Sequence, residues 1–260
     1  MTAAAGDAPV KAWRERDGHL LRLRLSRPKA NVLDAAMVAA LDAALAEAAV
    51  SPSLRAVLLD AEGPHFSFGA SVEEHLPASV AAMLAGFHAL VLRVLSFPAP
   101  VLAAVRGQCL GGGLELATAA HALFVHPEAK LGQPEIALGV FAPAASCLLP
   151  ERVGRAAAED LLLSGRSIDG REALRIGLAT AVADDPEAAA LAWYDEHLAR
   201  RSASSLRHAV SAARGELVER VRARLAALER QYLGDLMATR DAMEGLTAFL
   251  EKRSPKWEDR

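Results

Sequence analysis

The sequence predicts an α/β fold, with a strand-and-helix core over residues 1–190 and a helical region over residues 191–260. Three observations carry this. Short apolar β-type runs alternate with longer helical runs through the first part of the chain. Gly- and Pro-rich stretches separate them. From Glu187 to Phe249 the pattern is helical throughout and more charged.

Taken in order, "HLLRLRL" (His19–Leu25) alternates apolar and polar residues and reads as a half-exposed strand. "RPKANVLD" is a loop, and "AAMVAALDAALAEAA" after it is a helix. "LRAVLLDA" (Leu54–Ala61) is a short buried strand, and "EGPHFSFGASVEEHLP" a long loop. Ser79 to Ser96 reads as a helix and "APVLAAVRG" as a β-type run. A helix opens near Gly111–Gly113, and "HALFVH" follows as a strand. Beyond Pro143 helices dominate. Asp169 and Glu172 have the spacing of a capping box. Asp185-Pro186-Glu187 places a cap before a proline at the first helical position.

Composition narrows the function. The chain has 260 residues, 52% of them hydrophobic, which is enough for one substantial core. The net charge is −3 with no basic stripe, which argues against nucleic acid as a partner. The N-terminal stretch lacks the charged-then-apolar pattern of a secretory leader. Cys109 and Cys147 have no metal-type spacing and read as free core thiols. Together these predict a cytoplasmic protein. The most apolar window, "LPASVAAMLAGFHALVL", is broken by Pro77 and His88, so it reads as a helix of the fold rather than a membrane span. His65, His75, His88, His121 and His126 show no zinc-type spacing with a third ligand, so no metal is expected.

Two segments are unusual. Gly107–Pro127 and the stretch between Lys130 and Glu151 look like core, yet each keeps one acid, Glu115 and Glu135. A carboxylate in apolar surroundings is costly unless paired, hydrogen-bonded or protonated. Its pKa rises, as a general acid or base near neutral pH requires. The two lie too far apart in sequence for one helix face, so they meet only if the strand "HALFVH" returns the chain. One such glutamate is equally well read as a core acid bonded to backbone or arginine; two beside a glycine-rich turn favour a site. The triple glycine in "LGGGLEL" leaves the backbone unobstructed at a helix start, where free N–H groups can hold a developing oxyanion. A second donor is expected from "FSFGAS". Alanine at Gly112 is expected to reduce kcat/KM while thermal stability holds or rises slightly.

The segments "RPKANVLD", "HFSFGAS", "GQCLGGGLELA", "KLGQPEIALGVF" and "LLLSGRSIDGREALRIGLA" occur in this order, and "GLTAFLEKRSPKW" follows near the end. Together they resemble the crotonase family, the enoyl-CoA hydratase/isomerase group, over nearly the whole chain. The resemblance implies a crotonase-like spiral of repeated ββα units, closed by C-terminal helices that drive assembly into a homotrimer or a dimer of trimers. It implies catalytic acids at Glu115 and Glu135 and oxyanion-hole amides at Ala70 and Gly112. It implies contacts to CoA from Lys29, Ala30, Ala70, Ser71, Val72 and Glu73. The substrate is then an acyl-CoA thioester, and no separate cofactor is needed. "FSFGASVEEHLP", "GVFAPAASCLLPERVG" and "FLEKRSPKWEDR" are most similar to family members that hydrate a cyclic, conjugated dienoyl thioester.

Two departures from the family pattern matter. Gly69-Ala70-Ser71 stands where Gly-Ala-Asp is usual. "FAPAASCLL" replaces a Gly-rich turn, which puts Phe141, Pro143 and Cys147 forward as an apolar acyl pocket suited to a flat ring. The alternatives are a hydratase or isomerase for a different acyl chain, or a protein that binds acyl-CoA without turnover. A Rossmann dehydrogenase is disfavoured because "GGGLEL" lacks the required glycine spacing. The Glu/Arg-rich C-terminal helices read as an oligomer face or solvated surface rather than a ligand site.

Overall fold

The computed structural model describes residues 8–260. The expectation about a leader rests partly on the first seven residues and lies outside the described ones. A six-stranded sheet is built from β1 (Val10–Glu15), β2 (Leu20–Leu25), β3 (Ala56–Ala61), β4 (Val101–Val105), β6 (Ala122–Val125) and β9 (Ala181–Val182). The β1–β2 pair is antiparallel; every later pairing in this sheet is parallel. Parallel neighbours need crossovers; α1 (Ala35–Ala49), α2 (Val80–Leu95) and α3 (Gly112–Ala119) supply the first three, and the longer segment 126–180 supplies the last, from β6 to β9. A smaller sheet joins β5 (Gln108–Leu110), β7 (Lys130–Gly132) and β8 (Ser167–Ile168).

The spiral follows from how the crossovers visit both sheets. β4 runs into β5 and then α3, and β6 runs into β7. The two earlier turns make single bridges at the corresponding places, Leu33 to Ala70 and Ser67 to Cys109. This is the repeated ββα winding the resemblance implied.

Alternate strand residues face opposite sides of the large sheet. Val57, Leu59, Val101, Ala103 and Leu123 join the main core with residues of α1, α2 and α3. Ala56, Leu58, Leu102, Ala104 and Phe124 face the other way, against Ala190, Tyr194 and Leu198. The first two of these lie on α7 (Pro186–His197). The boundary expected at residue 190 therefore falls inside a helix that covers the sheet. Further helices are α4 (Pro143–Val153), α5 (Arg155–Ser164) and α6 (Gly170–Arg175). The 32-residue α8 (Ala203–Gly234) and α9 (Arg240–Leu250) close the chain.

Two local expectations need correction. β2 is not half exposed: Arg22 is only 2% accessible, and its guanidinium meets Asp60 on β3 together with Glu15 and Glu187. A buried arginine is tolerable because its two terminal nitrogens are met by carboxylates, although its Nε has no partner among the described residues. The capping box forms only by half. Asp169 accepts the Glu172 N–H at 2.8 Å, but the Glu172 carboxylate is taken by Arg175. Asp185 caps α7 as expected, accepting from the N–H groups of Glu187 and Ala188. Among the described residues no helix is long and apolar enough to cross a membrane.

Candidate active site

The two expected backbone donors are brought together, and peptide geometry fixes where they point. The Gly69 carbonyl accepts the Leu33 N–H at 2.9 Å. In a trans peptide N–H and C=O point in opposite directions, so the Ala70 N–H is turned away from Leu33. The Gly111 carbonyl accepts the Glu115 N–H at 2.9 Å and starts α3. The Gly112 N–H therefore projects out of the helix N-terminus, where donors lack intrahelical partners. A Cβ built on Gly112 would lie 3.1 Å from the Ala70 nitrogen, so the two amides are immediate neighbours.

The loop bearing Ala70 is braced by residues the sequence reading passed over. Asn31 is buried and donates through Nδ2 to the carbonyls of Glu62 and His65, both at 3.0 Å. Ser67 Oγ donates to the Asn31 carbonyl at 2.8 Å and accepts the Gly69 N–H at 3.0 Å. Gly69 itself has a φ of +103°, which L side chains rarely adopt.

The acids meet beside these amides. Glu115 lies in the first turn of α3 and is 4% exposed. Its Oε1 accepts the Ala145 N–H at 2.7 Å in the first turn of α4. It thereby satisfies an orphan amide that α4's own cap residue, Ala142, cannot reach. Burial pushes the Glu115 carboxyl above the ordinary range, and the Ala145 and Ala144 amides offset this in part. Glu135 sits in the 3-10 turn Pro134–Leu138. Burial, then the neighbouring Glu115 charge, raises it too. The amide group of Gln133, a buried residue, faces it. With the NH2 end turned toward the carboxylate, Gln133 lies 3.0 Å from Oε2 and 3.2 Å from Oε1. Gly111, at φ +49°, leaves the space that the Glu135 carboxylate fills.

A cavity of about 520 Å³ opens over this constellation, within the usual range for a ligand pocket. Ala70, Val72, Gly112, Glu115, Glu135, Phe141 and Pro143 all line it. Cys147, expected there too, is buried further along α4 and is not among the lining residues. Burial pushes the thiols of Cys147 and Cys109 up, so neither is primed as a nucleophile. Lys29, Ala30, Ser71 and Glu73 also stand outside the cavity lining. Ala30 nonetheless accepts the Phe68 N–H at 2.9 Å, so its loop adjoins the Ala70 loop. Ser71 donates to Glu73 at 2.9 Å. Among the described residues no group of three or more His, Cys, Asp or Glu is placed to hold a metal ion.

The C-terminal helices depart from expectation. Tyr232 near the end of α8, and Leu246 and Phe249 of α9, wall the cavity. The Phe141 ring meets the Tyr232 ring edge-on at 5.3 Å. Phe141→Ala should therefore enlarge the cavity. It is expected to weaken discrimination against longer linear enoyl-CoAs by about 1–3 kcal/mol, the range for small changes in an apolar pocket. Unchanged relative kcat/KM values across a chain-length series would refute that role.

The family model for enoyl-CoA hydratase/isomerase matches residues 15–260. The chain belongs to the enoyl-CoA hydratase/isomerase family. It is 66% identical over 253 residues to a cyclohexa-1,5-dienecarbonyl-CoA hydratase of Thauera aromatica, covering 97% of this chain and 98% of that protein. It is 32% identical to a carnitinyl-CoA dehydratase of Proteus mirabilis, covering 94% and 96% of the two chains. The crystal structure of an enoyl-CoA hydratase from Mycobacterium avium superposes with a TM-score of 0.86 at 29% identity, covering 96% and 99%. The enoyl-CoA hydratase/isomerase fold is thus the frame in which the paired amides and paired glutamates stand.

Proposed function

We propose that the protein hydrates a conjugated, cyclic dienoyl-CoA thioester. The observation that carries this reading is the pairing of a buried carboxyl, Glu115, and a half-buried one, Glu135, with two neighbouring amides in one cavity. The thioester oxygen sits on the N–H groups of Ala70 and Gly112. Water oriented by the glutamates attacks the β-carbon and gives its proton to the pair. Electrons move onto the thioester oxygen, where the amides stabilise the enolate. The pair then returns a proton to the far end of the diene, a 1,4-addition. Glu115 and Glu135 share the acid and base roles, and the raised pKa of both suits them to exchange a proton near neutral pH. Lys29, Ala30 and the segment Ala70–Glu73 lie along CoA, which arrives as part of the substrate, so no separate cofactor takes part. The high identity to the Thauera hydratase supports the ring substrate.

The second reading is hydration or isomerisation of another acyl chain, which the 32% identity to a carnitinyl-CoA dehydratase supports. One experiment separates them. The protein is incubated with the cyclic dienoyl-CoA and with crotonyl-CoA, and product masses are recorded. Gain of one water on the ring substrate, faster than on crotonyl-CoA, is the expected result. Isomerisation without mass change, or preference for crotonyl-CoA, would refute the ring assignment. No reaction with either would leave a binding protein. The same sample, weighed by light scattering, should contain three or six chains.

A further inference from the structure

The acyl cavity has two polar groups that the mechanism above does not use. His88 on α2 is 4% exposed, and Tyr232 on α8 is 1% exposed. Both line the cavity. His88 Nδ1 lies 2.7 Å from Oε2 of Glu229, one helical turn before Tyr232. Its Nε2 is buried and has no partner among the described residues, and the same holds for the Tyr232 hydroxyl. Buried polar atoms without partners are rare and destabilising, so a pair of them in one ligand cavity points to the ligand.

Chemistry narrows what that ligand atom is. A carboxylate at Nδ1 fixes the proton there and leaves Nε2 as an acceptor. Burial holds the imidazole neutral, its pKa lowered against the pull of Glu229. Burial, then the charges of Glu135 and Glu115, keeps the Tyr232 phenol protonated. The two carboxylates therefore act on the same phenol that faces the acyl group. One neutral donor and one neutral acceptor complement a hydroxyl, which accepts one hydrogen bond and donates another. The thioester oxygen is already held by the amides of Ala70 and Gly112. A diene ring has no other hydrogen-bonding atom. Only the hydrated acyl group does.

We infer that Tyr232 and His88, the latter oriented by Glu229, form a polar station that recognises the hydroxyl of the hydroxyacyl-CoA and so sets the balance between hydrated and dehydrated acyl groups in the site. The station rests on the hydratase reading above. Tyr232 and His88 are specificity residues here: they bind the hydrated form and take no part in proton transfer. Their removal should thus be felt by one of the two ligands and not by the other.

The test compares dissociation constants of the hydroxyacyl-CoA and the matching unsaturated acyl-CoA. It is done on a Glu135→Gln background, which slows interconversion, with and without Tyr232→Phe. The expected result is about ten-fold weaker binding of the hydroxyacyl-CoA, the worth of one hydrogen bond to a buried group, with the unsaturated acyl-CoA changed less than about two-fold. His88→Leu should show the same selectivity; if it does not fold, Tyr232→Phe decides alone. Equal loss for both ligands would mean that Tyr232 is only a wall, and no loss for either would mean that the hydroxyl stays on the glutamates. Both outcomes overturn the station. The wild-type product masses test the ring reading separately. If the wild type prefers linear chains, the same ratio is measured with crotonyl-CoA and 3-hydroxybutyryl-CoA, so the two ideas fail independently.

Discussion

Glu135→Gln is expected to lower kcat about 10²–10⁴-fold, the usual worth of general acid–base catalysis, and also to make the protein more stable above neutral pH. The first effect would follow from losing one member of the proposed proton-exchanging pair. The second follows from the raised carboxyl. Its folded-state pKa lies above that of the unfolded chain. Between the two values the folded state binds more protons, so stability falls as pH rises through that window and stays lower beyond it. Glutamine does not titrate and removes that loss. Variant and wild type should have similar Tm below about pH 4, the unfolded carboxyl range, and diverge as pH rises. Relief of one pKa unit is worth about 1.4 kcal/mol, which moves Tm by a few degrees at this chain length. Glu115→Gln should cost similar activity with a smaller gain, because the carboxylate it removes also complements the amides of Ala145 and Ala144. Calorimetry from pH 4 to 9 and steady-state kinetics check both. Parallel Tm curves would show that burial does not raise Glu135; near-normal turnover in either variant would remove that residue from the mechanism.

Gly112→Ala should cost about 10²–10³-fold in kcat/KM, comparable to the loss of one oxyanion donor, although the N–H itself remains. The added Cβ would stand 3.1 Å from the Ala70 nitrogen and 3.3 Å from Phe87 Cζ, at the mouth of the hole. The stability gain that sequence reasoning attaches to alanine at a helix start is not expected, because the nearer neighbour is backbone and cannot turn aside. Gly111→Ala is harsher. Its φ of +49° disfavours any side chain, and its Cβ would collide with the Glu135 carboxylate. Lower Tm should accompany its lost activity. The direct probe is the thioester C=O stretch of a bound substrate analogue. It should shift to lower frequency in the wild type and less in Gly112→Ala. No shift in the wild-type complex would be incompatible with an oxyanion hole at these amides.

What the sequence made legible, and what it hid, follows from the range of the interactions. α1 and α2 are readable because their composition and ends are local, and the structure places them at Ala35–Ala49 and Val80–Leu95. β5, β7, β8 and β9 have two or three residues each, too few for any period to register. Arg22 looked like a solvent-facing residue because the acids that neutralise it, Asp60 and Glu187, lie 38 and 165 positions away. Glu115 and Glu135 stood out for the opposite reason, since a single charge in an apolar run is conspicuous without any partner. Gln133 could have been suspected from its place two residues before Glu135. Tyr232 could not, because nothing local in α8 says that its last turns cover a cavity begun by Gly112.

The bond between Glu115 and the first turn of α4 ties chemistry to selectivity. That turn opens with Ala142 and Pro143, part of the cavity wall, and two residues later supplies the amide that anchors Glu115. Redrawing the wall by shifting α4 would loosen the anchor, and with it the acidity of the carboxyl. The enzyme cannot be refitted to a bulkier guest by moving this helix without also being detuned for every guest. A route to new acyl groups that leaves the glutamate pair in place runs through α9, at Leu246 and Phe249, which line the same cavity and carry no titratable group.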